Sequence, residues 1–266
     1  MRYLRLVVGA LLVLAAFSGC GAGGWFVVGS GVAAEQAIDL TGFTAVSAGS
    51  GFSVDIRKGD SFGVVVRADD NVLPHVRATL EGERLVLALE PGFSYWTTML
   101  QASVTLPELR GVAFSGGVTA SVGEGFSTAG TLSVSLSGGS RLATASVACG
   151  GLGADLSGGS VLSGAVSCPL GAAELTLSGG SEVRSLTGAT LTLDLVHSGG
   201  GRSDLSGLSA DTAQIELAGG AAATVSVQSS LSATLSGGSF INYRRYEAGP
   251  VVTAVEVSGG SSISSY

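Results

Sequence analysis

Residues 134–160 read VSLSGGSRLATASVACGGLGADLSGGS. The string LSGGS stands near the start and at the end of this stretch, at Leu136–Ser140 and Leu156–Ser160, and its SGG turn recurs in both directions along the chain. The first glycines of the turn are Gly116, Gly138, Gly158, Gly179, Gly199, Gly237 and Gly259, with Ala218-Gly219-Gly220 as a degenerate copy. Successive spacings are 22, 20, 21, 20, 20, 18 and 22 residues. A nearly fixed period of this kind marks a repeat architecture and not a flexible glycine-rich linker.

Two residues before each first glycine lie Phe114, Leu136, Leu156, Leu177, His197, Leu217, Leu235 and Val257. Four before lie Val112, Val134, Ala154, Leu175, Leu195, Ile215, Ala233 and Val255, and the position between is mostly polar, as in Ser135, Asp155, Thr176 and Glu216. Alternation with period two describes a strand with one buried face that runs into the glycine turn. A single such unit cannot bury its apolar face, whereas stacked copies can. The expectation is an all-β protein, a parallel β-helix or β-solenoid with about eight coils of about 20 residues over 111–266. At ~4.8 Å per coil the rod would be about 40 Å long. The glycine pair is expected to supply positive φ at corners where a Cβ would collide with the neighbouring coil. The serine before it is expected to form a ladder outside.

Residues 37–110 differ. They hold 9 acidic and 6 basic residues, about twice the charge density of residues 111–266. Strand patterns occur at 52–57, 63–68, 76–80, 84–89 and 102–106, with turns at Lys58-Gly59-Asp60 and Glu81-Gly82-Glu83. This segment reads as an N-terminal β-rich cap over the open edge that any solenoid presents.

The first 19 residues read as a signal peptide: Arg2 and Arg5, an apolar run from Leu6 to Phe17, then Ser18 and Gly19. Cys20 follows at once and resembles the lipidated cysteine of a bacterial lipoprotein, although Phe17 stands where such signals usually carry Leu. Residues 20–36 are then the lipidated cysteine and a flexible tether. Export would allow Cys149 and Cys168, at nearly equivalent places in adjacent coils, to form a disulfide. The alternative is two small buried hydrophobes.

Gly49-Ser50-Gly51-Phe52 leading to Val54 and Ile56, then Asp69-Asp70-Asn71-Val72-Leu73-Pro74, Leu85-Val86-Leu87 and the LSGGS repeats carry a more specific likeness. In combination they resemble the putative auto-transporter adhesin, head GIN domain family over about residues 40–262. The resemblance implies an exported protein, often a lipoprotein, with a right-handed β-helical fold and an adhesin-like role. It brings no catalytic residues.

The formal charge of −7 disfavours nucleic acid, and Lys58 is the only lysine. No carboxylate ladder follows the glycines, so calcium binding of the repeat type is not expected, and no phosphate-cradling motif is present. No catalytic, cofactor or metal residues are assigned. Asp194, His197, Arg202 and Asp204 form the rod's polar cluster and the alternative reading, a polysaccharide lyase-like carbohydrate-active enzyme, by analogy of fold. His197 stands in an inward apolar column, so it is expected to be buried and neutral. Candidate binding residues are Phe93, Tyr95 and Trp96, placed in a cap loop, and Tyr243, Arg244, Arg245 and Tyr246. Exposed aromatics stack on sugars or anchor protein partners; the alternative is that they lid the solenoid ends. Expected partners are thus the membrane, through an outer membrane lipid anchor, and a surface glycan or envelope protein.

Overall fold

The computed structural model describes residues 25–244 and 251–266. Strands account for 71% of the described residues, and the fold is a β-solenoid of about 7 turns. The cap strands are β1 (Trp25–Val28), β2 (Ala33–Ile38), β3 (Ala45–Ala48), β4 (Ser53–Lys58), β5 (Gly63–Asp69), β6 (Val76–Glu81), β7 (Arg84–Leu89), β8 (Phe93–Trp96) and β9 (Leu100–Leu106). The rod continues with β10 (Gly111–Phe114), β11 (Thr119–Val122), β12 (Phe126–Leu136), β13 (Arg141–Leu156), β14 (Val161–Gly179) and β15 (Glu182–Gly199). It ends with β16 (Arg202–Ala218), β17 (Ala222–Leu235), β18 (Phe240–Arg244), β19 (Val251–Val257) and β20 (Ser262–Ser265).

The repeat register matches the sequence period. Leu87, Ala48, Phe114, Leu136, Leu156, Leu177, His197, Leu217, Leu235 and Val257 form one parallel inward column, each paired with its equivalent on the next strand. Eight SGG-type corners enclose about 7 complete turns, one fewer than the corner count suggested, because a turn is the interval between two corners. The corner chemistry is visible at Gly138 and Gly139, with φ of 60° and 81°. A Cβ on Gly138 would lie 3.0 Å from the Gly116 amide nitrogen of the coil below, so both the positive φ and the close stacking call for glycine. Two of the serines before the glycines are exposed and reach the preceding coil, Ser198 donating to the Leu177 carbonyl and Ser258 to the Leu235 carbonyl, both at 3.5 Å, and a second set of serines closes the corners from within. Buried Ser140, after the glycines, donates to the Ser137 carbonyl at 2.8 Å, and Ser160, Ser181 and Ser239 do the same in their coils.

The cap is built on a coil of its own. Ser50 and Gly51 take φ of 55° and 74°, and β3 and β4 pair in parallel with β10 and β11. Antiparallel strands then close the open edges: β6 lies on β7, while β5 lies on β9 with β2 outside it. Residues 25–36 are therefore no tether. Trp25–Val28 and Ala33–Ile38 are strands, and the second pairs antiparallel along β5 and ends on half-buried Ile38. At the other end no strand among the described residues covers β19, and the inward Val255 and Val257 remain 41% and 43% exposed.

Candidate functional site

The first candidate aromatic group lies in a strand and not in a loop. β8 pairs in parallel with β1, and this two-stranded ribbon stands apart from the main sheet. Phe93 and Tyr95 are partly buried and turn toward His75, with ring centroids 4.9 and 5.7 Å from the imidazole. Glu90 accepts from Arg77 at 2.8 Å and lies 3.1 Å from His75 Nδ1, and these two contacts hold its carboxyl below the usual range. The Tyr95 hydroxyl donates to the Glu90 carbonyl at 3.0 Å, and burial pushes its pKa up. These two rings are packing residues. Trp96 alone of the three is open to solvent, and it is joined by Trp25 and Phe26, which the sequence pattern placed in the tether.

The ribbon is seated by Asp69, which is buried although charged. It accepts from the Gly31 and Thr98 amides, both at 2.9 Å, from the Met99 amide at 3.3 Å, and from the Thr98 hydroxyl. The Thr98 hydroxyl, first among these donors, holds the carboxyl below the usual carboxylate range. Asn71 adds a bond to the Val28 carbonyl at 2.8 Å, and the Ser30 amide donates to its side-chain oxygen. The Asp69-Asp70-Asn71 run thus clamps the chain at the N-terminal side of the cap.

The polar cluster of the rod does not converge. His197 is fully buried in the inward column, Nδ1 is 3.0 Å from Ser203 Oγ, and Nε2 has no hydrogen-bond partner. Burial pushes its pKa down, which favours the neutral ring. Its coil pairs the imidazole with Gly201 where five of the other coils have serine; a Cβ there would lie 2.7 Å from Nε2 and 2.0 Å from the Ser181 carbonyl. Asp204 accepts from Ser206 at 2.7 Å and from Ser185 at 3.2 Å, with Ser206 chiefly holding its pKa down. Asp194 lies on the same stretch of β15 as His197 but points out of the opposite face, to solvent. There it lines a shallow groove across three coils with Thr192, Thr212, Gln214, Ser230 and Ser232. A lyase-like grouping of Asp194, His197, Arg202 and Asp204 is therefore not formed.

At the far end, Tyr243 is partly buried against the core and Arg244 is exposed; Arg245 and Tyr246, like Cys20, lie outside the described residues. Trp96 and Tyr243 thus lie toward opposite ends of the rod. Cys149 and Cys168 are joined as a disulfide, with Cα atoms 4.9 Å apart. A register shift between Thr144 and Val147 absorbs the one-residue offset between their coils. Among the described residues, no three His, Cys, Asp or Glu side chains gather as a metal site.

A family model described as putative auto-transporter adhesin, head GIN domain, matches residues 42–245. The fold is shared with a crystal structure of a putative adhesin from Parabacteroides merdae, at TM-score 0.82 and 16% identity over 91% of this chain and 99% of that one. A putative adhesin from Parabacteroides distasonis gives 0.79 at 17% identity, over 91% and 100%. A putative lipid binding protein from the same species gives 0.77 at 14%, over 91% and 99%. At such identities the likeness speaks for the fold. Curated proteins give no match to the chain.

Proposed function

The chain belongs to the putative auto-transporter adhesin, head GIN domain family, and on that premise we propose an exported lipoprotein of the cell envelope, held in the outer membrane through Cys20, with a non-catalytic, adhesin-like role. The observation that carries this reading is the polarity of the rod. Trp25, the first described residue, is bound into the cap, so the anchored end is the cap end. The groove of Asp194, Gln214 and Ser232 centres on β16, six strand steps beyond β3, or about 30 Å at ~4.8 Å per step. Carboxylate, amide and hydroxyl groups repeated at strand spacing and held off a membrane suit a surface glycan or an envelope protein.

Two measurements test it. Cys20→Ala is expected to shift the protein from the membrane to the soluble envelope fraction; continued partition with membrane overturns the anchor. Glycan arrays and envelope pull-downs then compare the wild type with an Asp194→Ala/Gln214→Ala variant, for which a loss of about ten-fold in binding is expected from two polar contacts. Equal binding removes the groove from the role. Release of reducing ends or unsaturated products from a polysaccharide panel would replace binding with catalysis.

A further inference from the structure

The β1–β8 ribbon exposes more apolar surface than any packing role in the cap requires. Trp25 is 77% exposed, Phe26 80%, Val28 64% and Trp96 76%. Register places Phe26 across Ser94 and Val28 across Trp96 on one face, and Trp25 across Phe93 and Val27 across Tyr95 on the other, where Trp25, first in its strand, still stands open to solvent at the ribbon's tip. Val32, 58% exposed, comes just after the Asp69 clamp. A two-stranded ribbon is marginal in water by itself, and large aromatics left open on it lose the burial that would normally stabilise them.

Three observations identify what covers this face. The first is position. Five residue steps separate Trp25 from Cys20, so the Trp25 backbone can lie no more than about 18 Å from a lipidated Cys20. The second is charge. Residues 25–34 (WFVVGSGVAA) and 91–101 (PGFSYWTTMLQ) contain no charged side chain, so nothing in either strand opposes entry into a headgroup layer, and nothing selects an anionic one. The third is composition. Indole rings, with an apolar body and an N–H that needs a polar partner, favour the boundary between headgroups and acyl chains. The ribbon is also held ready, since Asp69 takes hydrogen bonds from both the Gly31 and the Thr98 side of it, and the Gly29 amide donates to the Trp96 carbonyl at 2.8 Å.

We propose that this ribbon is a membrane foot: Trp25, Phe26, Val28 and Trp96 enter the interface of the bilayer that holds the Cys20 lipid. The foot fixes which end of the rod faces the membrane and keeps the cap down. It rests on the lipoprotein reading, and the test separates the two.

Trp25 and Trp96 are the only tryptophans of the chain, so its indole emission reports on the ribbon alone. The full-length protein, purified from membranes and reconstituted into phosphatidylcholine vesicles, is first checked by mass for the lipid on Cys20. Its emission is then quenched from the lipid side with brominated acyl chains and from the aqueous side with iodide. The expected result is a blue shift, about two-fold quenching by bromolipid and little by iodide, as for indoles at the interface. A Phe26→Ser/Val28→Ser variant should reverse the two quenchers while its circular dichroism stays that of the wild type. Lipidated, vesicle-bound protein whose tryptophans stay open to iodide overturns the foot and leaves the anchor standing. An unlipidated Cys20 overturns the anchor; a blue shift when vesicles are added to that protein keeps the foot, and no shift ends it. Shielding by an envelope glycan or protein extract without vesicles, and not by vesicles, also overturns it.

Discussion

In the rod, Leu156 sits between Leu136 and Leu177, its counterparts one coil away on either side. In the cap, Asp69 gathers donors from residues 29, 30 and 38 positions distant. The rod specifies its packing by copying one short rule, so each coil needs only its two neighbours. The cap has no neighbour on its outer side and must close its edge with partners that occur once. Redundancy in one region and singularity in the other predict different responses to damage.

The widest effect should come from Asp69→Ala. It removes the acceptor shared by Gly31, Thr98 and Met99. Residues 25–32 and 97–99 should gain fast amide exchange while residues 190–235 stay protected; uniform loss of protection along the chain would erase the contrast between cap and rod. Because the Asp69 carboxyl titrates below its ordinary range in the fold, its contribution is present at neutral pH and is lost as pH falls through that lowered value. Exchange at 25–32 should rise in acid before exchange in the coils does.

Leu156→Ala, in the centre of the rod, should cost about 2–5 kcal/mol by cavity formation. The fold should remain, since the coils on either side keep their own contacts; denaturant titration reads the loss, and a change below about 1 kcal/mol would mean that the column adds little. Removing the Cys149–Cys168 link, which spans 19 residues, should cost about 3 kcal/mol if its effect is entropic. Thiol counting on the unfolded mature protein should find neither cysteine free, and two free thiols in an oxidised envelope preparation would refute the link.

His197→Leu should change stability least at pH 7, since it restores the residue type of the column beside a Gly201 that already leaves space. Its signature lies in pH dependence. Burial lowers the folded pKa of His197, so protons favour the unfolded chain, and stability falls as pH drops below the unfolded value of about 6.5, by at most ~1.4 kcal/mol per pH unit. The variant should lack that slope between pH 7 and 5. An identical slope in both proteins would show that the ring is charged or exposed.

Legibility in the sequence divides along the same line. The inward columns, the glycine corners and the proximity of Cys149 to Cys168 are written into a period that the chain repeats, so local reading recovers them. The β1–β8 ribbon is not, because Trp25-Phe26-Val27-Val28 is too short to show alternation and its partner lies 68 residues on, as in Trp25 with Phe93. Nor does spacing reveal that Phe93 and Tyr95 would face His75 while Trp96 faces outward, a consequence of one strand's two faces. The Asp194–His197–Arg202–Asp204 cluster misled for a related reason. Alternation sends neighbours in sequence to opposite sides of a wall only one strand thick, and Asp194 and His197 fall on opposite sides.

The link between adjacent coils has a mechanical side. A rod gripped by a lipid at its cap and pulled at its far end would peel one coil at a time from β20 inward, each coil of about 20 residues releasing about 70 Å of chain. Peeling that arrives at Cys168 meets a covalent bridge to Cys149, and the residues between them cannot be drawn out. The bridge is thus a ratchet stop part-way along the rod. In a force ramp, the step that crosses it should be shortened by nearly a full coil, and reducing agent should restore its length.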